Sequence, residues 1–82
     1  MEEHSFPAFR RLHGGLHLYH IHAVDRFEEL QRIGGRWVLH RVDARTYPER
    51  LRVQDMLSCS APFEVISEAE WAKIRVLVDV AN

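Results

Sequence analysis

A single cysteine, Cys59, closes the route by which very short chains are often held together, because no intrachain disulfide can form. A chain of 82 residues buries only about 60–65% of the surface it exposes when unfolded. Its own core, a metal or a partner must therefore supply the stability. With 46% hydrophobic residues there is material for one core, and the length leaves no room for a second. One domain over residues 1–82 is the expectation, with residues 1–9 as a loose lead-in around Pro7.

The start, Met1-Glu2-Glu3-His4, is acidic and leads into no apolar stretch, so no cleaved secretory signal is expected. The densest apolar run, residues 74–80, is broken by Arg75 and Asp79. It falls far short of the roughly 20 residues of a membrane span. A cytoplasmic protein without membrane partners is the resulting expectation.

Residues 16–23 (LHLYHIHA) read as a strand, rich in aliphatic and aromatic side chains after the Gly14-Gly15 break. Asp25 with Glu28 makes a capping box, and Phe27 and Leu30 follow at helical spacing. A short helix over 25–33 is predicted, ended by Gly34-Gly35 as a left-handed cap. Residues 36–45 return to period two, with Val38, His40, Val42 and Ala44 on one face and Trp37, Leu39, Arg41, Asp43 and Arg45 on the other. Tyr47-Pro48-Glu49 reads as a turn, and residues 51–54 as a strand pairing back on the previous one. Residues 63–66 offer a fourth strand. Ser67 with Glu70 caps a second helix carrying Trp71, Ile74 and Val78. Ile74, Val76, Val78 and Val80 also alternate, but no turn residue separates Lys73 from Ile74, which favours helix. The predicted class is α+β: a three- or four-stranded antiparallel sheet with two helices packed on one face, in the order β-α-β-β-(β)-α.

Four of the six histidines, His13, His17, His20 and His22, fall within ten residues. On a strand His20 and His22 share a face at i, i+2, the separation at which two imidazoles can chelate one divalent ion such as zinc. His40 or a carboxylate would be the third ligand. The bland alternative has both rings on a solvated face, bonded to neighbours or water. No Cys-x-x-Cys or His-Glu-x-x-His accompanies them, so no cofactor is required by the sequence. Cys59 has no neighbouring base to acidify it. Glu28 and Glu29, adjacent on the predicted helix, would diverge by about 100° and form no acid–base pair.

Near-neutral net charge, −1, conceals an uneven distribution. Residues 10–52 hold nine arginines against five acids, whereas residues 53–82 hold two bases against five acids. Trp37, Arg41 and Arg45, with Arg36, Arg50 and Arg52 near them in sequence, have the aromatic-plus-arginine composition of binding hot spots. Stacking on single-stranded nucleic acid is the weaker use of such a face, since no basic run or aromatic pair supports it. With no nucleophile–base pair and no phosphate loop, the preferred expectation is a non-enzymatic protein-interaction module. It would be an adaptor, or an inhibitor of the kind phages and mobile elements use against a larger host complex, anti-CRISPR proteins included. A homodimer is a further partner expectation. A metal-binding domain on His20, His22 and His40 is the alternative, and a nucleic-acid-binding module the second alternative.

Overall fold

Gly34 (φ 57°) and Gly35 (φ 84°) both sit in the left-handed region. Two such residues in succession build the tight turn whose twist suits a β-hairpin. They join two strands of eight residues each and do not end a helix. The computed structural model describes residues 5–81. Its first four elements form an antiparallel meander: β1 (Ala8–Leu12), β2 (His17–Ala23), β3 (Arg26–Ile33) and β4 (Arg36–Asp43). Helix α1 (Tyr47–Leu57) then carries the chain across, β5 (Phe63–Val65) pairs with β1, and α2 (Glu68–Ala81) follows. The result is a small α+β domain with a five-stranded sheet ordered β4-β3-β2-β1-β5, every neighbouring pair antiparallel.

The predicted helix over 25–33 is therefore corrected to strand β3. Phe27 and Leu30, whose i, i+3 spacing imitated a helix face, point to opposite sides of the sheet. Both are buried nonetheless. Phe27 joins Tyr19, Ile21 and Ala44 beneath Val53, Met56 and Leu57 of α1. Leu30 joins Phe9 and Leu18 beneath Trp71 and Val78 of α2, with Ile66 beside them. One helix thus covers each face, which corrects the expectation of two helices on one. A strand covered on both sides loses the in-out alternation that would have announced it.

The turn and strand expected over 47–54 are one helix. Thr46 is its N-cap: its hydroxyl accepts from the Glu49 N–H at 3.4 Å, and the Glu49 carboxylate accepts from the Thr46 N–H at 3.0 Å. Pro48 lies in the first turn, where a missing N–H removes nothing from the helical ladder. The far end closes with Cys59 N–H bonded to Met56 O and Ser60 N–H to Asp55 O, the paired bonds of a Schellman cap. Cys59 takes the left-handed position there, at φ 55°.

Residues 8 and 9, expected in the lead-in, belong to β1, which runs between β2 and β5 and not along an edge. Residues 1–4 of that lead-in lie outside the described residues. Residues 74–80 are helical, continuous with the start of α2. No helix among the described residues is long and apolar enough to cross a membrane.

Candidate metal centre

The strand register decides which polar side chains meet. His20 of β2 stands opposite Glu28 of β3, and Glu28 opposite Arg41 of β4, so all three share the face that α2 covers. The β2–β3 pairing shifts register between Ile21 and Ala23, leaving His22 without a partner across the strands. Irregularities of this kind re-aim a side chain. His22 Nε2 reaches 3.1 Å from Glu28 Oε1, and His20 Nδ1 lies 3.7 Å from the same oxygen. The three ligand atoms all fall within 4.8 Å of one another. Bonds of about 2.0–2.1 Å to a tetrahedral zinc would place neighbouring ligand atoms about 3.3–3.4 Å apart, a value between the two observed distances. Seating an ion would draw His20 Nδ1 closer to Glu28 and splay the two stacked imidazoles so that both lone pairs point at it.

Apolar rings wall the cluster. Between ring centroids, His20 lies 4.6 Å from Phe9, 5.4 Å from Trp71 in an edge-on arrangement, and 4.0 Å from His22, on which it stacks. This burial pushes the His20 pKa below its ordinary value; His22 adds to the effect, and Glu28 and Glu68 oppose it. His20 is thereby favoured in the neutral form a metal requires. Burial pushes the Glu28 carboxyl upward. Hydrogen bonds from His22 and Arg41, with the charge of the two imidazoles, outweigh that and hold it below the usual carboxylate range. Arg41 Nε donates to Glu28 Oε2 at 3.1 Å, leaving Oε1 to face the histidines. The carboxylate is thus oriented from behind, as metal-ligating carboxylates commonly are.

The structure does not bring His40 to this site. It stands opposite Glu29 on the face covered by α1, so the third ligand-type group is Glu28. There a second network forms. His17 Nδ1 is 3.0 Å from Glu29 Oε2, while Arg52 of α1 donates to the Tyr19 hydroxyl at 2.8 Å and approaches Glu29 at 3.5 Å. Burial raises the Tyr19 phenol to about 12; Glu29 adds to this and Arg52 opposes it. This network ties α1 to the sheet. Cys59 lines a different hollow with His13 and Glu64, so no thiolate joins the histidines.

Of the aromatic and arginine residues expected to form one face, Arg36, Trp37 and Arg41 line one hollow beside α2, whereas Arg45, Arg50 and Arg52 are engaged elsewhere. Trp37 is half-buried against the α2 cluster, and Arg41 is bound to Glu28. Arg45 approaches Asp43 at 3.6 Å, Arg50 donates to Ala44 O at 3.1 Å, and Arg52 serves Tyr19. Arg36 opposes Ile33 beside the Gly34-Gly35 turn. Sequence reasoning missed Glu28 as a ligand because it had placed that residue on a helix. A regular two-residue Val24-Asp25 turn would have set Glu29 opposite His20; it is the irregularity at His22 that brings Glu28 there, and no sequence signal marks it.

Comparison with known protein families, with curated proteins and with solved structures finds no match for this chain.

Proposed function

We propose that this chain is a metal-binding domain holding one divalent first-row ion, zinc being the reference case, on His20, His22 and Glu28. The observation that carries the reading is convergence: two imidazole nitrogens face one carboxylate oxygen inside a half-buried, apolar-walled recess. Two nitrogen donors and one oxygen select zinc, iron, nickel or copper over magnesium or calcium. An ion would sit where His22 Nε2 and Glu28 Oε1 now meet at 3.1 Å, with the neutral imidazole carrying its one proton on Nδ1. The test is metal analysis of tag-free protein, followed by calorimetric titration with zinc. Stoichiometric binding in the wild type, lost in His20→Ala and Glu28→Gln, supports the reading. Wild-type protein that takes up no zinc, or variants that bind equally well, would overturn it.

A second reading, a non-enzymatic protein-interaction module, is favoured by one observation. An apolar groove of about 240 Å³ opens between α2 and the sheet, lined by Leu18, Trp37, Ile66 and Ile74, with Arg11, Glu70 and Lys73 among its polar residues. An apolar side chain of a larger protein, anchored against Trp37, is the ligand this groove suits. Binding that survives Trp37→Ala would remove that support.

A further inference from the structure

Three protein donors leave a bound ion with at least one position to fill, and among the described residues no fourth His, Cys, Asp or Glu joins the set. What surrounds that position indicates what fills it. A groove of about 410 Å³ at the β3–β4 end of the sheet is lined by His22 and Glu28 together with Arg26, Arg41 and Asp43. Strand alternation puts Arg26 on the same face as Glu28, and Asp43 on the same face as Arg41. Asp43 is drawn toward Arg45 at 3.6 Å. Arg41 uses its Nε on Glu28, and its side chain is 75% exposed, so guanidinium donors remain for a ligand. Arg26 is exposed and makes no hydrogen bond or ion pair among the described residues.

Charge completes the picture. Without an ion, Arg26 and Arg41 are offset by Glu28 and Asp43; counting the flanking charges, Arg45 beside Asp43 and Glu68 beside His20, leaves the balance at zero. A divalent ion raises it by two positive charges. We propose that the metal-loaded site takes a small oxyanion, a carboxylate or a phosphate, as its external ligand: one oxygen on the ion and another on Arg26, in the groove that His22 and Glu28 share with Arg41. This rests on the metal reading above and adds what the metal is for: it makes oxyanion binding conditional on the ion.

The probe is the full chain loaded with cobalt(II), whose visible absorption reports the coordination shell. Sodium acetate and inorganic phosphate are titrated separately at constant ionic strength, with perchlorate as the non-coordinating control. A saturable spectral change with acetate or phosphate but not perchlorate is expected, and the anion that saturates at lower concentration identifies the source. Arg26→Ala should weaken that binding on the order of tenfold by removing one charge-assisted contact. Arg26→Gln serves as the second variant if alanine disturbs the hairpin. Calorimetry of the metal-free protein with the same anions should show no binding. One-to-one cobalt uptake with a spectrum that neither anion alters would overturn the oxyanion proposal and leave the metal reading standing, as would unchanged affinity in both Arg26 variants. Absence of cobalt uptake by the wild type would overturn both.

Discussion

Removing the ion should leave this protein folded, and adding it should raise stability by mass action alone. His20, His22 and Glu28 lie within nine residues of a single hairpin. An ion there closes a short loop whose ends the β2–β3 ladder already holds together, so little chain entropy remains for it to remove. The cores on both faces, from Tyr19, Ile21 and Phe27 under α1 to Leu18 and Leu30 under α2, are complete without it. Binding to the native state alone contributes about 2.7 kcal/mol when free zinc is one hundred times its dissociation constant. For a domain of this size each kcal/mol moves the midpoint by about 4–8 °C, so a rise of roughly 10–20 °C is expected. The assay is thermal unfolding of tag-free protein, first in chelator and then in buffered zinc. Trp71, whose ring centroid is 5.4 Å from that of His20, provides a second signal: paramagnetic copper or nickel should quench its emission in a Trp37→Phe background. Loss of cooperative unfolding in chelator would refute this reasoning, because it would make the ion a folding element. Equal zinc shifts in the wild type and in Glu28→Gln would refute the ligand set.

Three further outcomes test the framework that positions the site. Thr46→Ala should destabilise the domain by about 1 kcal/mol in urea unfolding, since the N-cap of α1 loses the hydroxyl that accepts from the Glu49 N–H, while the backbone arm of the capping box remains. The Thr46 backbone and hydroxyl hold the Glu49 carboxyl below its usual range. Its contribution is therefore present at neutral pH and fades as pH falls through the acid range, so the Thr46→Ala penalty should shrink in acid. Cys59→Gly should stabilise by about 0.5–1 kcal/mol, because glycine takes the left-handed cap position without the steric cost a side chain meets there; a destabilised variant would show that the thiol packs in a way this geometry does not account for. In a Tyr47→Phe background the one remaining phenol, Tyr19, should ionise near 12 and not near 10. The unfolded chain gives up that proton first, so stability should fall by up to about 2.7 kcal/mol as pH rises between those values. An ultraviolet titration of folded protein with its midpoint near 10 would contradict the burial of that hydroxyl.

The class of the fold was legible in the sequence, and so were strand β2, strand β4, the short β5 and helix α2, because each carries a pattern matched to its own period. The failures have separate physical sources. Residues 26–33 contribute Phe27 to one core and Leu30 to the other, so burial on both faces erased the period of two. The capping box at Asp25 and Glu28 then supplied a helical signal that the Val24-Asp25 turn overrode. The same box, Thr46 with Glu49, does start a helix, yet Pro48 pulled the reading toward a turn, although proline in a first turn is compatible with helix. The site inherited these errors. His20 and His22 were legible together because they share one strand. Glu28 could be placed only with the β2–β3 register, and His40 was set apart from them by the parity of β4.

A last test asks why polar groups occupy this part of the α2 face at all. Immediately beside them in register stand Leu18, Leu30 and Leu39, and an apolar trio at positions 20, 22 and 28 would extend that core. Holding a carboxylate and two imidazoles in a recess costs desolvation, which their mutual hydrogen bonds only partly return. Arg41, the one full charge paired with Glu28, is mostly exposed, so that pair is screened and its loss is cheap. If the cluster exists for a ligand and not for the fold, His20→Leu combined with Glu28→Leu should be at least as stable as the wild type in chelator. It should also lose all response to zinc. Urea unfolding gives the comparison directly. Destabilisation of the double variant by more than about 2 kcal/mol, the range expected when a needed buried polar network is broken, would show that the hydrogen bonds are wanted for their own sake. The polar character of the site would then be explained without an ion, and the inference from ligand geometry to metal binding would fail at its root.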